Sequence, residues 1–187
     1  MGLQAIYRRP RTSQPAPGHK VYPYLLSSME ITRPNQVWAA DITYIPMARG
    51  SCTWWQPWTG IAGTRWPGAC PTPWMSTSAS RPSEKALSKG KPEVFNTDQS
   101  SQFTSEAFTG LVERDGVSIS MDGKGRYTDN IFVERLWRTV KYEEVYLKAY
   151  SNGREAKAGL DAYFHFYNTQ RPHQALDYRT PAEVFKL

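Results

Sequence analysis

The sequence has few cysteines and no long apolar run, and both features narrow the class of protein. Cys52 and Cys70 are the only two cysteines among 187 residues. A disulfide framework is therefore not expected, and a reducing cytoplasm is the expected location. No apolar run approaches the roughly 18 residues of a transmembrane helix, so we expect no membrane partner. The start of the chain, with basic residues after Tyr7, has the wrong order for a secretory signal.

Acidic residues are also in the minority, and the formal net charge is +6. A basic chain is compatible with a polyanionic partner such as nucleic acid, although many basic proteins bind none. The apolar and charged fractions are 40% and 21%, which is a globular composition and not that of a disordered tail. The length fits one domain with a sizeable core.

Strand and helix patterns alternate along most of the chain, which indicates an α/β domain. Residues 1–32 are rich in Pro, Arg, Ser and Lys and predict an extended lead-in to a domain spanning 33–187. Residues 37–50 contain a strand pattern that ends at Pro46, and two further strand patterns cover 93–97 and 117–121. Helix patterns cover 84–89, 104–115, 129–149, 155–168 and 181–185, the last with Thr180 as its N-cap.

Three carboxylates occupy positions where chemistry is possible. Asp41 interrupts an apolar strand, and Asp98 follows a strand at its carboxyl end, where open α/β sheets place ligand sites. Glu134 lies on the long helix, in a stripe beside the apolar one. Each has an ordinary alternative: a solvated strand face for Asp41, a turn or N-cap for Asp98, and an i,i+4 pair of Glu134 with Arg138.

Taken together, the three carboxylates could bind divalent metal ions. Mg²⁺ takes oxygen ligands and keeps several waters, so a few carboxylates on rigid elements are enough to bind it. Two such ions, about 3.5–4 Å apart, can activate the attacking oxygen and stabilise the leaving oxygen in a phosphoryl displacement. Basic residues on the Glu134 stripe would then meet DNA phosphates.

The pattern resembles that of bacterial insertion-sequence transposases with an integrase-type Asp-Asp-Glu core. Thirty-five residues separate Asp98 from Glu134, as that class prefers. Four segments match the family in order and spacing: RPNQVWAADITYIP at 33–46, KPEVFNTDQSSQFTS at 91–105, DNIFVERLWRTVKYEEVY at 129–146 and YNTQRPHQALDYRTPAEVF at 167–185.

The resemblance implies a ribonuclease-H-like fold with strand order 3-2-1-4-5. Asp41, Asp98 and Glu134 would be both the catalytic residues and the ligands of Mg²⁺ or Mn²⁺, with two ions expected. Water would cleave the end of the element, and the freed 3′-hydroxyl would attack another phosphodiester. The implied partners are double-stranded DNA and further copies of the chain, at the bacterial nucleoid. The residues expected to contact DNA are Lys124, Arg126, Asn130, Arg138, Lys141 and Arg171.

Some residues of the matching segments are given ordinary roles. Ser100 replaces the usual Gly after Asp-Gln, and the turn would be strained if it required a positive φ. The segment Arg171-Pro172-His173 is interpreted as a packed helix end and turn. Three further acidic residues are interpreted as flanking charges and not as ligands: Asp122, Asp129 and Glu144.

The window 51–82 departs from the family. It holds five of the seven tryptophans, both cysteines, five prolines and no acidic residue. We expect the second and third strands and the first core helix to be missing or disordered there. Because Trp has one codon, the underlying DNA is constrained, and a neighbouring frame would encode an apolar strand and an Asp-Trp-Tyr-Ser-like turn. The hypothesis is that 51–82 is translated out of frame; the alternative is a genuine Trp-rich insertion.

The expected activity follows from these departures. The upstream helix-turn-helix of such transposases is expected to be missing, with the lead-in as its linker remnant. Loss of two strands and a helix would exceed the usual stability margin, so we expect an inactive transposase core. The other interpretations are a non-catalytic DNA-binding remnant and a ribonuclease-H-like nuclease acting on hybrids.

Overall fold

A computed structural model describes residues 20–59, 74–75, 79–123 and 131–185. The strands are β1 (Val37–Pro46), β2 (Ser51–Thr59), β3 (Trp74–Met75), β4 (Val94–Thr97) and β5 (Ser118–Met121). The helices are α1 (Ser80–Leu87), α2 (Glu106–Arg114), α3 (Ile131–Val140), a π-helix (Lys141–Val145), α4 (Tyr146–Lys148), α5 (Gly153–Thr169) and α6 (Pro181–Phe185). No helix in these ranges is long and apolar enough to cross a bilayer.

The five strands form one mixed sheet in the order β3-β2-β1-β4-β5, which confirms the predicted order. β2 runs antiparallel to β1 and to β3, whereas β4 runs parallel to β1 and to β5. The parallel strands β1, β4 and β5 therefore direct their carboxyl ends to the same edge of the sheet.

The prediction that strands 2 and 3 are missing is wrong, because β2 and β3 are both formed. Trp54 and Trp55 are buried on opposite faces of the sheet, as the alternation of a strand requires. Pro57 of β2 pairs with Ala40 of β1. Among the described residues, β3 pairs only with Trp54 and Trp55, so Pro57 has no strand partner on its β3 side. Proline is tolerated at such an edge position.

The structure describes only part of the remaining 51–82 window. The first core helix is present as α1, which begins at Ser80, so its predicted absence is also wrong. Residues 60–73 and 76–78 lie outside the described residues, as does the lead-in up to residue 19. The reading-frame hypothesis concerns the coding DNA and stays a prediction.

Two apolar clusters cover the two faces of the sheet. One joins Trp38, Trp55 and Phe95 of the strands to α1 and α2. The other joins Ala39, Ile45 and Trp54 to α3, the π-helix and α5. Burial on both faces explains why β4 is buried at every position.

The helix predicted at 129–149 is confirmed over 131–148, where α3, the π-helix and α4 follow one another without a break. Ala149 ends it in the left-handed conformation, with φ 46°. The N-cap prediction for Thr180 is also confirmed: its hydroxyl accepts from the Glu183 N–H, and the Glu183 carboxylate accepts from the Thr180 N–H.

Two helical glycines should respond in opposite ways to alanine. A Cβ on Gly159 would lie 2.2 Å from the hydroxyl oxygen of buried Tyr150, whereas a Cβ on Gly110 meets nothing within 4 Å. Gly110→Ala should stabilise the protein by about 0.5–1 kcal/mol through helix propensity. Gly159→Ala should destabilise it by about 1–3 kcal/mol through overpacking. Urea unfolding measures both, and equal stability of the two variants would contradict the packing of Tyr150.

Candidate active site

The register of the sheet brings two of the predicted carboxylates together. Ala40 of β1 is paired with Thr97 of β4, and the next residues along the two parallel strands are Asp41 and Asp98. Alternation along β1 directs Asp41 to the same face as Ala39, which is the face covered by α3. The two carboxylates, separated by 57 positions in the sequence, therefore lie on adjacent strands.

The pKa of Asp41 is raised by its burial and by the charges of the other two carboxylates. Desolvation raises its pKa from 3.8 to about 7, and the negative charges of Asp98 and Glu134 act in the same direction. Opposing these effects, the Ile42 N–H donates to the carboxylate at 2.7 Å, and the Trp137 indole also lowers the pKa. Carboxylates that repel one another in a half-buried place are what a divalent cation stabilises.

The turn that carries Asp98 is tied down by its own side chain. The Ser100 N–H donates to Asp98 Oδ1 at 3.1 Å, and the Ser100 carbonyl accepts from Phe103 and Thr104. Ser100 does not have a positive φ, so the strain considered for replacing Gly does not arise. Serine is therefore accommodated beside Asp98 without a left-handed backbone.

Glu134 comes from the opposite layer. Val133, Leu136, Trp137 and Val140 bury one side of α3 against the sheet. Glu134 itself is exposed and acts on Asp41 through its charge. Among the described residues, no three acidic, histidine or cysteine side chains stand close enough together to hold a metal ion. The donor chemistry of Asp41 and Asp98 fits a hard cation, and Glu134 adds charge without joining them in one cluster.

Asp122, predicted to be a flanking charge and not a ligand, is a buried residue beside the site. Asp122 is 7% exposed and follows β5 as Asp98 follows β4, with its N–H donating to the Thr97 carbonyl. Its carboxylate accepts from the Asn96 amide at 2.8 Å, and Asn96 in turn accepts from the Ser120 hydroxyl. The Gln99 amide donates to its carbonyl. Its burial could have been expected from its position, since it is the second Asp at a strand's carboxyl end.

Glu144, also predicted to be a flanking charge and not a ligand, is buried as well. It is 6% exposed and accepts from the Tyr150 hydroxyl at 2.6 Å, with Lys148 at 2.9 Å. Desolvation raises the pKa of Tyr150 well above its ordinary range, and the hydrogen bond to Glu144 raises it further. Glu144 therefore anchors the end of the long helix inside the core.

The predicted DNA-contacting residues divide into three groups. Arg138 is exposed and Lys141 is half-buried, both on the helix that carries Glu134. Arg171 makes a two-pronged ion pair with Glu143 and donates to the Tyr163 hydroxyl, so its guanidinium is engaged within the fold. A DNA contact by any of these stays a prediction. Three lie outside the described residues: Lys124, Arg126 and Asn130.

Comparison with known proteins agrees with this architecture. Residues 115–181 match the family model described as an integrase core domain. The chain is 30% identical over 160 residues to a transposase for insertion sequence element IS904 of Lactococcus lactis, covering 83% of this chain and 63% of the relative. It is 30% identical over 162 residues to an IS600 protein of Shigella sonnei, covering 81% and 57%. The chain thus spans less than two thirds of either relative.

Solved structures show the same fold at low identity. A chain of the simian T-cell lymphotropic virus intasome superposes with a TM-score of 0.66 at 17% identity, covering 91% of this chain and 60% of that chain. The HTLV-2 integrase catalytic core domain, solved with magnesium, superposes with a TM-score of 0.56 at 15% identity, covering 84% and 99%. The ribonuclease-H-like, integrase-type fold predicted from the sequence is confirmed.

Proposed function

Because the chain is a relative of bacterial insertion-sequence transposases and carries an integrase core domain, we propose that it performs metal-dependent DNA cleavage and strand transfer. One observation carries the proposal: Asp41 and Asp98 follow paired positions on adjacent parallel strands, beneath the helix that bears Glu134. Asp41 and Asp98 come from distant segments and have no structural need to converge, since their mutual repulsion costs stability. Convergence of this kind is typical of a functional site.

The three carboxylates share one role in the proposal, which is to hold the metal. Asp41, Asp98 and Glu134 hold Mg²⁺ or Mn²⁺, and two ions are proposed. When bound, such ions supply Lewis-acid stabilisation of the phosphoryl group and of both reacting oxygens. The magnesium in the HTLV-2 integrase core supports this choice of metal. The Ser100 N–H orients Asp98, while the Ile42 N–H orients Asp41, so both carboxylates are held before a cation arrives.

Double-stranded DNA is the proposed substrate, with Arg138 and Lys141 meeting its phosphates. Lys124, Arg126, Asn130 and Arg171 complete the proposed contact set. A multimer on DNA is proposed because two element ends have to be joined in one reaction, and its location would be the bacterial nucleoid. Binding through phosphates predicts an affinity that falls steeply with salt.

The main reason to expect an inactive protein does not hold. It rested on the loss of the second and third strands and the first core helix, but β2, β3 and α1 are formed. Trp54 and Trp55 fill both faces of the sheet at the place where the loss was expected. We therefore propose an intact sheet beneath the carboxylates.

A cleavage and joining assay tests the proposal. The substrates are labelled duplexes that carry the ends of the encoding element, incubated with Mg²⁺, with Mn²⁺ or with a chelator. We expect cleaved and joined products with either metal and none with the chelator. An RNA–DNA hybrid of the same sequence serves as the control, and preference for it would favour a ribonuclease.

A non-catalytic DNA-binding remnant is the second candidate. It is favoured by one observation: the described carboxylates do not stand as a ready metal cluster. This candidate predicts salt-dependent DNA binding in the same assay, without products at any metal concentration.

A further inference from the structure

Two exposed tyrosines follow Glu134 and Arg138 along the long helix formed by residues 131–148. Glu134, Arg138, Tyr142 and Tyr146 are spaced four residues apart, which makes them successive neighbours on one side of the helix. The contacts agree: the Arg138 guanidinium lies 5.9 Å from the centre of the Tyr142 ring, and the Tyr142 and Tyr146 ring centres are 5.3 Å apart. We call Tyr142 and Tyr146 the tyrosine pair.

The tyrosine pair contributes little to the core. Tyr142 is 65% exposed and Tyr146 is 52% exposed, unlike buried Trp137 and Val145 on the same helix. The two rings meet at an interplanar angle of 89°, so they form a right-angled corner open to solvent. Aromatic rings left exposed in a row are characteristic of a surface that binds a partner.

The charges around the tyrosine pair favour a polyanion. Arg138 and Lys141 are cationic. The two acidic residues between the tyrosines are already paired, Glu143 with Arg171 and Glu144 with Tyr150 and Lys148. Arg138 and Lys141 therefore leave unbalanced positive charge beside the tyrosine pair, which suits a polyanion.

We propose that the tyrosine pair stacks against unpaired bases at the end of the DNA held beside Glu134. Bases of an intact duplex stack on each other, so free tyrosine rings can reach their faces only where strands are separated. At about 1.5 Å per residue along the helix, the pair lies about 12–18 Å from Glu134. That distance corresponds to about three to five nucleotides at 3.4 Å each. This inference rests on the proposed DNA function.

Two DNAs of equal length test the inference by fluorescence anisotropy: a fully paired duplex, and a fork whose last four pairs are mismatched. Wild type should bind the fork about fivefold more tightly or better, as one stacked base provides. Tyr142→Ala/Tyr146→Ala should lose that preference and keep binding to the paired duplex. Tyr142→Phe/Tyr146→Phe should retain it, because phenyl rings also stack. Tyr178→Ala, at a tyrosine that is 71% exposed elsewhere, is the matched control and should change nothing.

The outcomes separate this inference from the proposed function. Equal binding of fork and duplex by wild type, or an unchanged preference in the double alanine variant, overturns the stacking role alone. Absence of any DNA binding overturns it together with the proposed function. Sedimentation tests whether a second copy of the chain binds this surface instead. If wild type is a multimer, the double alanine variant is not, and the fork preference is unchanged, the surface is a protein interface and the inference is overturned.

Discussion

Asp98→Asn is expected to lower metal-dependent strand transfer about 100-fold or more, because even residues that act through a metal ligand cost 10–100-fold. Asparagine keeps the side-chain oxygen that accepts from the Ser100 N–H, so the turn after β4 should persist. What it removes is the negative charge that attracts a divalent cation. DNA binding should remain close to that of wild type, since the phosphate contacts are proposed elsewhere.

A second readout makes this prediction independent of turnover. Mg²⁺ or Mn²⁺ should raise the Tm of wild type and should not raise that of Asp98→Asn, because a ligand stabilises the state that binds it. Asp115→Asn, which makes the same change at the end of α2, is the matched control and should retain both activity and the metal response. Turnover that survives Asp98→Asn would exclude the proposed site.

The elements that position the site could be predicted from local sequence. β1 ends at Pro46 and β4 ends just before Asp98, as their apolar patterns indicate. The prediction for 51–59 is wrong because Trp and Pro content does not by itself prevent a strand. Trp54 and Trp55 can face opposite layers of a strand as well as any aliphatic pair, and Pro57 needs only one unpaired edge.

The partners of polar residues could not be predicted, because they come from distant segments. Nothing in the sequence joins Arg171 to Glu143 or Asp122 to Asn96, and both pairs depend on how α5 and β5 pack. The exposure of Glu134 could be expected from its place beside the apolar stripe of α3. Its distance from the other carboxylates depends on how α3 docks on the sheet, which the helical period leaves open.

Asp41→Asn is expected to stabilise the metal-free protein, and to do so only at pH values where Asp41 of the unfolded wild-type chain is ionised. The pKa of Asp41 is raised from 3.8 to about 7, chiefly by desolvation and then by the charge of Asp98. Below pH 3.8 the carboxyl is protonated in both the folded and the unfolded chain, so no cost arises. Asparagine has no such titration at any pH.

Between the two pKa values the sign is fixed by proton binding. The unfolded chain releases the proton first and the folded chain keeps it, so the free energy of unfolding falls as pH rises. The fall is complete above pH 7, and the difference between 3.8 and about 7 corresponds to about 4 kcal/mol. The variant should therefore exceed wild type by a few kcal/mol at pH 8.5, and by about 1 kcal/mol at pH 4.5.

Urea unfolding of both proteins at the two pH values, with a chelator and then with Mg²⁺, measures this difference. Mg²⁺ should narrow the gap at pH 8.5, because a bound cation offsets the repulsion between Asp41 and Asp98 in wild type alone. Asp177→Asn, on an exposed turn, controls for the amide itself. A gap between Asp41→Asn and wild type that is the same at pH 4.5 and 8.5 would mean that neither burial nor the charge of Asp98 raises the pKa of Asp41. The electrostatic reason for a metal between β1 and β4 would then be lost, even if the fold were intact.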